Sequence, residues 1–64
     1  MKQVTIKQVR EGDLFRFKDA PDSKIYIRNH YDRGSKTFSY SPYDNVNEEH
    51  FARPTRKVFI DYSY

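Results

Sequence analysis

Hydropathy alternates with a period of two along most of this chain, and that limits its fold more than any other feature. In "VTIK" Val4 and Ile6 share one side against Thr5 and Lys7. In "LFRFK" Phe15 and Phe17 oppose Leu14, Arg16 and Lys18. "KIYIRNH" sets Ile25 and Ile27 against Tyr26, Arg28 and His30, and "KTFSYS" sets Phe38 and Tyr40 against Thr37, Ser39 and Ser41. The last run, "KVFIDYSY", lines up Val58, Ile60, Tyr62 and Tyr64 against Lys57, Phe59, Asp61 and Ser63. Successive side chains of a strand point to opposite faces, so this pattern predicts half-buried β-strands. β-branched and aromatic residues fill the runs, as a pleated surface favours.

Turn chemistry separates the runs. "REGD" at 10–13 offers Gly12 for a tight turn, and "DAPDS" at 19–23 carries a proline that an inner strand rejects. "DRGS" at 32–35 suits a hairpin tip, and "SPYDN" at 41–45 ends the fourth run. "NVNEEHFARP" at 45–54 breaks the alternation. Asn47 suits a helix N-cap, Glu48 and Glu49 suit a first turn, and Pro54 blocks extension. The segment predicts one 3₁₀ turn over about 47–51, pinned to the core by Val46 and Phe51.

The expected fold is therefore all-β: one domain over residues 1–64, with five strands and a short helical turn before the last. The predicted core is Ile6, Phe15, Phe17, Ile25, Ile27, Phe38, Tyr40, Val58, Ile60 and Tyr62. A chain of 64 residues buries only about 60% of the surface it exposes when unfolded, so this core is thin. The low apolar content of 36% would suit a disordered chain, but an aromatic content of 17% argues for a packed one.

That order of elements resembles SH3-like barrels, as does "VREGDLFRF" with its Val-x-x-Gly-Asp turn ahead of a long strand. The resemblance spans almost the whole chain and implies a five-stranded SH3-like barrel. "YDRGSK" and "YDNVN" also resemble stretches of small uncharacterised bacterial and phage proteins, a likeness that implies no activity. SH3-like barrels bind peptides, nucleic acids and other proteins, so the fold does not assign a function.

No Cys is present, which removes disulfides, thiolate metal sites and thiol nucleophiles. His30, Asp32, Glu48, Glu49 and His50 are the candidate acid–base groups, but "EEH" lacks the i, i+4 histidine spacing of a helical zinc site. No phosphate loop or nucleophile elbow is legible. The reading is a non-enzymatic binding module without metal or cofactor. The opening "MKQVTIKQVREGD" shows no apolar signal-peptide core, and no run approaches the ~20 residues of a membrane span. The expected location is cytoplasmic, without membrane contact.

The binding surface is predicted from the rings and cations left over after the core is assigned. Arg16, Lys18, Arg28 and Lys57 fall on outer strand faces beside Tyr26, His30 and Phe59, while most carboxylates fall at turns. Cations that meet phosphates, beside rings that stack bases, are the equipment of single-strand nucleic-acid binders. The net charge of +3 agrees in sign. The same patch also suits a protein–protein interface, as in a phage or mobile-element adaptor or virion component. An ordinary solvated face is the third reading, since Lys and Arg are common there and a surface Tyr packs well under an Arg stem.

Overall fold

Six strands and one 3₁₀ turn make up the protein in a computed structural model that describes residues 2–20 and 22–61. The strands are β1 (Lys2–Thr5), β2 (Leu14–Phe15), β3 (Tyr26–Asp32), β4 (Thr37–Pro42), β5 (His50–Ala52) and β6 (Lys57–Ile60). All pairing is antiparallel, in a two-stranded sheet β1–β6 and a four-stranded sheet β2–β3–β4–β5. Reciprocal backbone bonds between Arg16 and Phe59, at 2.8 and 2.7 Å, bridge β6 to the end of β2. The spatial order is thus β1–β6–β2–β3–β4–β5, and neither sheet closes on itself. Among the described residues no helix is long and apolar enough to cross a membrane.

The helical turn lies elsewhere than the sequence reading placed it. It covers Ile6–Gln8, directly after β1. Thr5 and Gln8 have the spacing of a capping box, and the Gln8 carboxamide accepts a 2.9 Å bond from the Thr5 N–H. Ile6 N–H donates to the Arg56 carbonyl at 2.8 Å, which ties the turn to the approach to β6. Residues 45–48 form a single hydrogen-bonded turn, with Glu48 N–H on the Asn45 carbonyl at 3.1 Å. Beyond it the chain extends as β5, one strand more than the five expected. Val46 is 65% and Phe51 50% exposed, so neither pins a helix to the core. One helical turn fixes several residues for a single hydrogen bond, whereas pairing with β4 satisfies the same backbone along a formed strand.

The core comprises Val4, Ile6, Val9, Phe15, Phe38, Val58 and Ile60, with Phe17, Tyr26, Tyr40 and Ala52 packed around it. Alternation placed Ile6, Phe15, Phe17, Phe38, Tyr40, Val58 and Ile60 correctly. The predicted core omitted Val4, although alternation set it beside Ile6, and Val9, which is buried beside the 3₁₀ turn. Tyr62 lies outside the described residues.

The third strand reverses the predicted parity. Tyr26 faces inward, opposite Phe15 on β2 and Pro42 on β4, while Ile27 pairs with Ser41 on the other face and is only half-buried. Ile25 is half-buried ahead of the strand. A register shift between Arg28 and Tyr31 then changes the parity again. It brings Tyr31 opposite Phe38, with ring centroids 4.8 Å apart.

The outer face of β4 is also more enclosed than its polar residues suggest. Ser39 is 0% and Ser41 2% exposed. Asn29 Nδ2 donates to Ser41 Oγ at 2.8 Å, and Ser39 Oγ donates to Glu49 Oε2 at 2.6 Å. β4 lies between β3 and β5, so longer neighbours cover its small side chains, and the hydrogen bonds offset the desolvation of the hydroxyls.

Two turns show how backbone conformation is met. Gly12 has φ +88°, a left-handed value that glycine adopts without cost, and its N–H donates to the Arg28 carbonyl at 2.7 Å. At the β3–β4 hairpin Asp32 does the ordering. Its carboxylate accepts from Gly34 N–H and from Ser35 Oγ, both at 3.0 Å. The left-handed residue there is Lys36, at φ 56°, and not Gly34.

Candidate functional site: a ring and arginine groove

Four rings converge where β2, β3 and β4 meet. Phe17 lies 5.0 Å from Tyr26 and 5.3 Å from Tyr40 between centroids, both edge-on, and Tyr26 lies 5.5 Å from Tyr40. Phe15 closes the base of the cluster, 5.3 Å from Phe17 and 5.8 Å from each tyrosine. Edge-to-face contact matches the positive ring edge to the negative ring face. The sequence produces this cluster because β2 and its continuation place Phe15 and Phe17 on one side. Antiparallel pairing then sets Tyr26 against that side and Tyr40 one strand further on.

The outer part of the cluster opens into a groove of about 620 Å³. Phe17, Tyr26 and Tyr40 supply its rings, and Phe51, Ala52, Arg53, Thr55 and Arg56 border it, Phe51 being paired with Ser39 so that its ring belongs to the other face of the sheet. Among the described residues no carboxylate lines it. The Arg56 guanidinium sits 4.8 Å above the Phe17 ring, and Lys24 Nζ is 5.9 Å from the centre of Tyr26. His50 stacks on Tyr40 at 5.5 Å and 27°, and its Nε2 lies 3.2 Å from Glu48 Oε2. Partial burial pushes the Tyr40 phenol above its ordinary range, and the neighbouring Tyr26 adds to the effect while Arg56 opposes it. Tyr40 is therefore neutral at physiological pH and places no negative charge in the groove.

A second cleft, of about 310 Å³, lies between β2 and β6 and includes Gly12, Asp13, Arg16, Ile25, Phe59 and Asp61. It holds two carboxylates and one cation, and that cation, Arg16, is ion-paired to Asp61.

The seven residues expected to form a binding surface do not come together. Tyr26 belongs to the groove, but as a packed inner ring and not an outer one. Arg16 is only 13% exposed at its side chain and, with Phe59, belongs to the cleft between β2 and β6, where it is ion-paired to Asp61. Arg28 faces inward as well, its guanidinium 4.2 Å over the Phe38 ring. Its buried Nε has no hydrogen-bond partner, so the ring face is what that part of the group meets. Lys18, His30 and Lys57 are exposed at three separate places: the bend after β2, the irregular part of β3, and β6. Neither Arg16 nor Lys18 lies across from His30, because β2 is two residues long and pairs Leu14 with Ile27 and Phe15 with Tyr26.

The groove residues that sequence reasoning missed are Lys24, Phe51, Arg53 and Arg56. "HFARPTR" carries the signal, with two arginines around a proline, but the capping residues just before it favour a helical turn over a strand edge. The chain matches no protein family, no curated protein and no solved structure at a significant level.

Proposed function

We propose that this protein is a small, non-enzymatic binding module with SH3-like strand order that holds single-stranded nucleic acid, without sequence preference, in the ring and arginine groove. The observation that carries the reading is the groove lining: three clustered rings, Phe17, Tyr26 and Tyr40, with Arg53 and Arg56 at its border and, among the described residues, no carboxylate. Bases present π-faces to rings, and phosphates present charge to guanidinium and ammonium groups. The edge-on rings leave parts of Tyr26 and Tyr40 accessible, and Lys24, Arg53 and Arg56 lie around them. The strand order β1–β6–β2–β3–β4 supports the SH3-like architecture, with β5 as an added edge strand. No side-chain pattern for reading base edges is present in the groove, which supports non-specific binding.

The test is fluorescence anisotropy with a mixed-sequence single-stranded oligonucleotide across a salt series. Three cations meeting phosphates give a slope of log K against log salt of about −2. Arg56→Ala flattens that slope by about 0.7 and leaves the fold intact, because the residue is exposed. Absence of binding at low salt by the folded protein refutes the reading. Binding with a slope near zero would point instead to an apolar protein surface.

A further inference from the structure

One backbone edge of the four-stranded sheet is open. β5 pairs with β4 on one side, and among the described residues no strand pairs with its other side. Proteins commonly blunt such an edge, because a row of unpaired N–H and C=O groups recruits further strands. Here the edge strand carries Phe51, half exposed, at its centre.

We propose that a second copy of this chain pairs with that edge, β5 against β5, in an antiparallel two-fold arrangement centred on Phe51. The register follows from symmetry. A two-fold axis perpendicular to the sheet keeps each face on its own side, so residues opposite one another share parity. Centring on Phe51 sets Phe51 against Phe51, and sets Glu49 of each chain against Arg53 of the other. These three pairs lie on one face, where cross-strand ring pairs and opposite charges stabilise a sheet. Glu49 and Arg53 are both exposed, and the Ser39 bond engages Glu49 through Oε2.

Neighbouring registers lack this match. Centring on His50 opposes two imidazoles and sets Glu49 against Phe51. Centring on Ala52 sets Phe51 against Arg53 and His50 against Pro54, which has no N–H to give. Charge complementarity thus selects the occupant and the register together. Phe51 lies on the face of Ser39, opposite the ring cluster, so the pairing does not depend on what the groove binds.

Sedimentation equilibrium over a wide concentration range tests the pairing. The wild-type chain is expected to show a reversible monomer–dimer equilibrium. Glu49→Arg and Arg53→Glu each oppose like charges in both symmetry-related pairs, and each is expected to weaken the dimer at least tenfold. Mixing the two variants restores both unlike pairs, so the mixture is expected to form a heterodimer of near wild-type strength. Circular dichroism checks that each variant is folded. Arg53→Glu leaves the Ser39–Glu49 bond in place, so it tests the charge argument even where Glu49→Arg loosens the fold. A wild-type chain that stays monomeric throughout, or folded variants that fail to associate on mixing, would overturn the proposal.

Discussion

Replacing Tyr26 by alanine should damage this protein more than replacing Ile27, although alternation in the sequence suggests the reverse. Tyr26 contacts three rings, with centroids at 5.8, 5.0 and 5.5 Å for Phe15, Phe17 and Tyr40. Ring pairs contribute about 0.5–1.5 kcal/mol each beyond their buried area, and removal of a fully buried ring costs about 3–5 kcal/mol. Tyr26 is half-buried, and its three pairs are not additive, so the expected loss is about 3 kcal/mol. Ile27 is also half-buried but faces Ser41 on the outer side, away from the ring cluster, and its truncation should cost about 1 kcal/mol. The total stability of a 64-residue chain is about 3–10 kcal/mol, so the two variants fall in distinguishable ranges. Urea denaturation followed by far-UV circular dichroism measures both. A greater loss in Ile27→Ala than in Tyr26→Ala would refute the inward placement of Tyr26.

Gly12→Ala should destabilise by about 1–2 kcal/mol through backbone strain alone. The residue has φ +88° and a Cβ there would meet nothing within 4 Å, so no clash contributes; thermal melting against wild type checks this. Stability should also fall at alkaline pH. Tyr40 holds its proton more tightly folded than unfolded, so its contribution is complete below the ordinary tyrosine value of 10.0 and is lost as the pH rises through and beyond it. Tyr40→Phe should make the urea midpoint depend less on pH between about 9 and 11, whereas an unchanged dependence would assign the effect to the other tyrosines.

How much of this was legible in the sequence depends on how far each feature rests on local chemistry. Phe15 and Phe17, Phe38 and Tyr40, and Val58 and Ile60 declared their side because only one parity of each run is strongly apolar. In "KIYIR" both parities are apolar, and a hydropathy reading favours isoleucine over tyrosine. The choice was made by ring packing against residues of β2 and β4, which no local pattern contains. The irregular pairing after Arg28 hid Tyr31 in the same way.

The helical turn was legible at Thr5 and Gln8, but Asn47 with its two glutamates was the more conspicuous capping pattern. It gave way because β4 offered a backbone partner and Val46 had no core to reach. Ser39 and Ser41 were expected in solvent. Their burial arises from a central strand overlaid by Asn29 and Glu49. The groove followed the same division: its rings were visible as rings, and Lys24, Arg53 and Arg56 joined them only through tertiary geometry.

Whether single-stranded nucleic acid enters the ring and arginine groove is read residue by residue in solution. Amide chemical-shift mapping during titration with a mixed-sequence single-stranded oligonucleotide tests it most directly. The account predicts the largest shifts at Phe17, Lys24, Tyr26, Tyr40, Ala52, Thr55 and Arg56. Saturated titration without shifts there, or with shifts confined to Ile27, Asn29 and Ser41 on the opposite face, would contradict it.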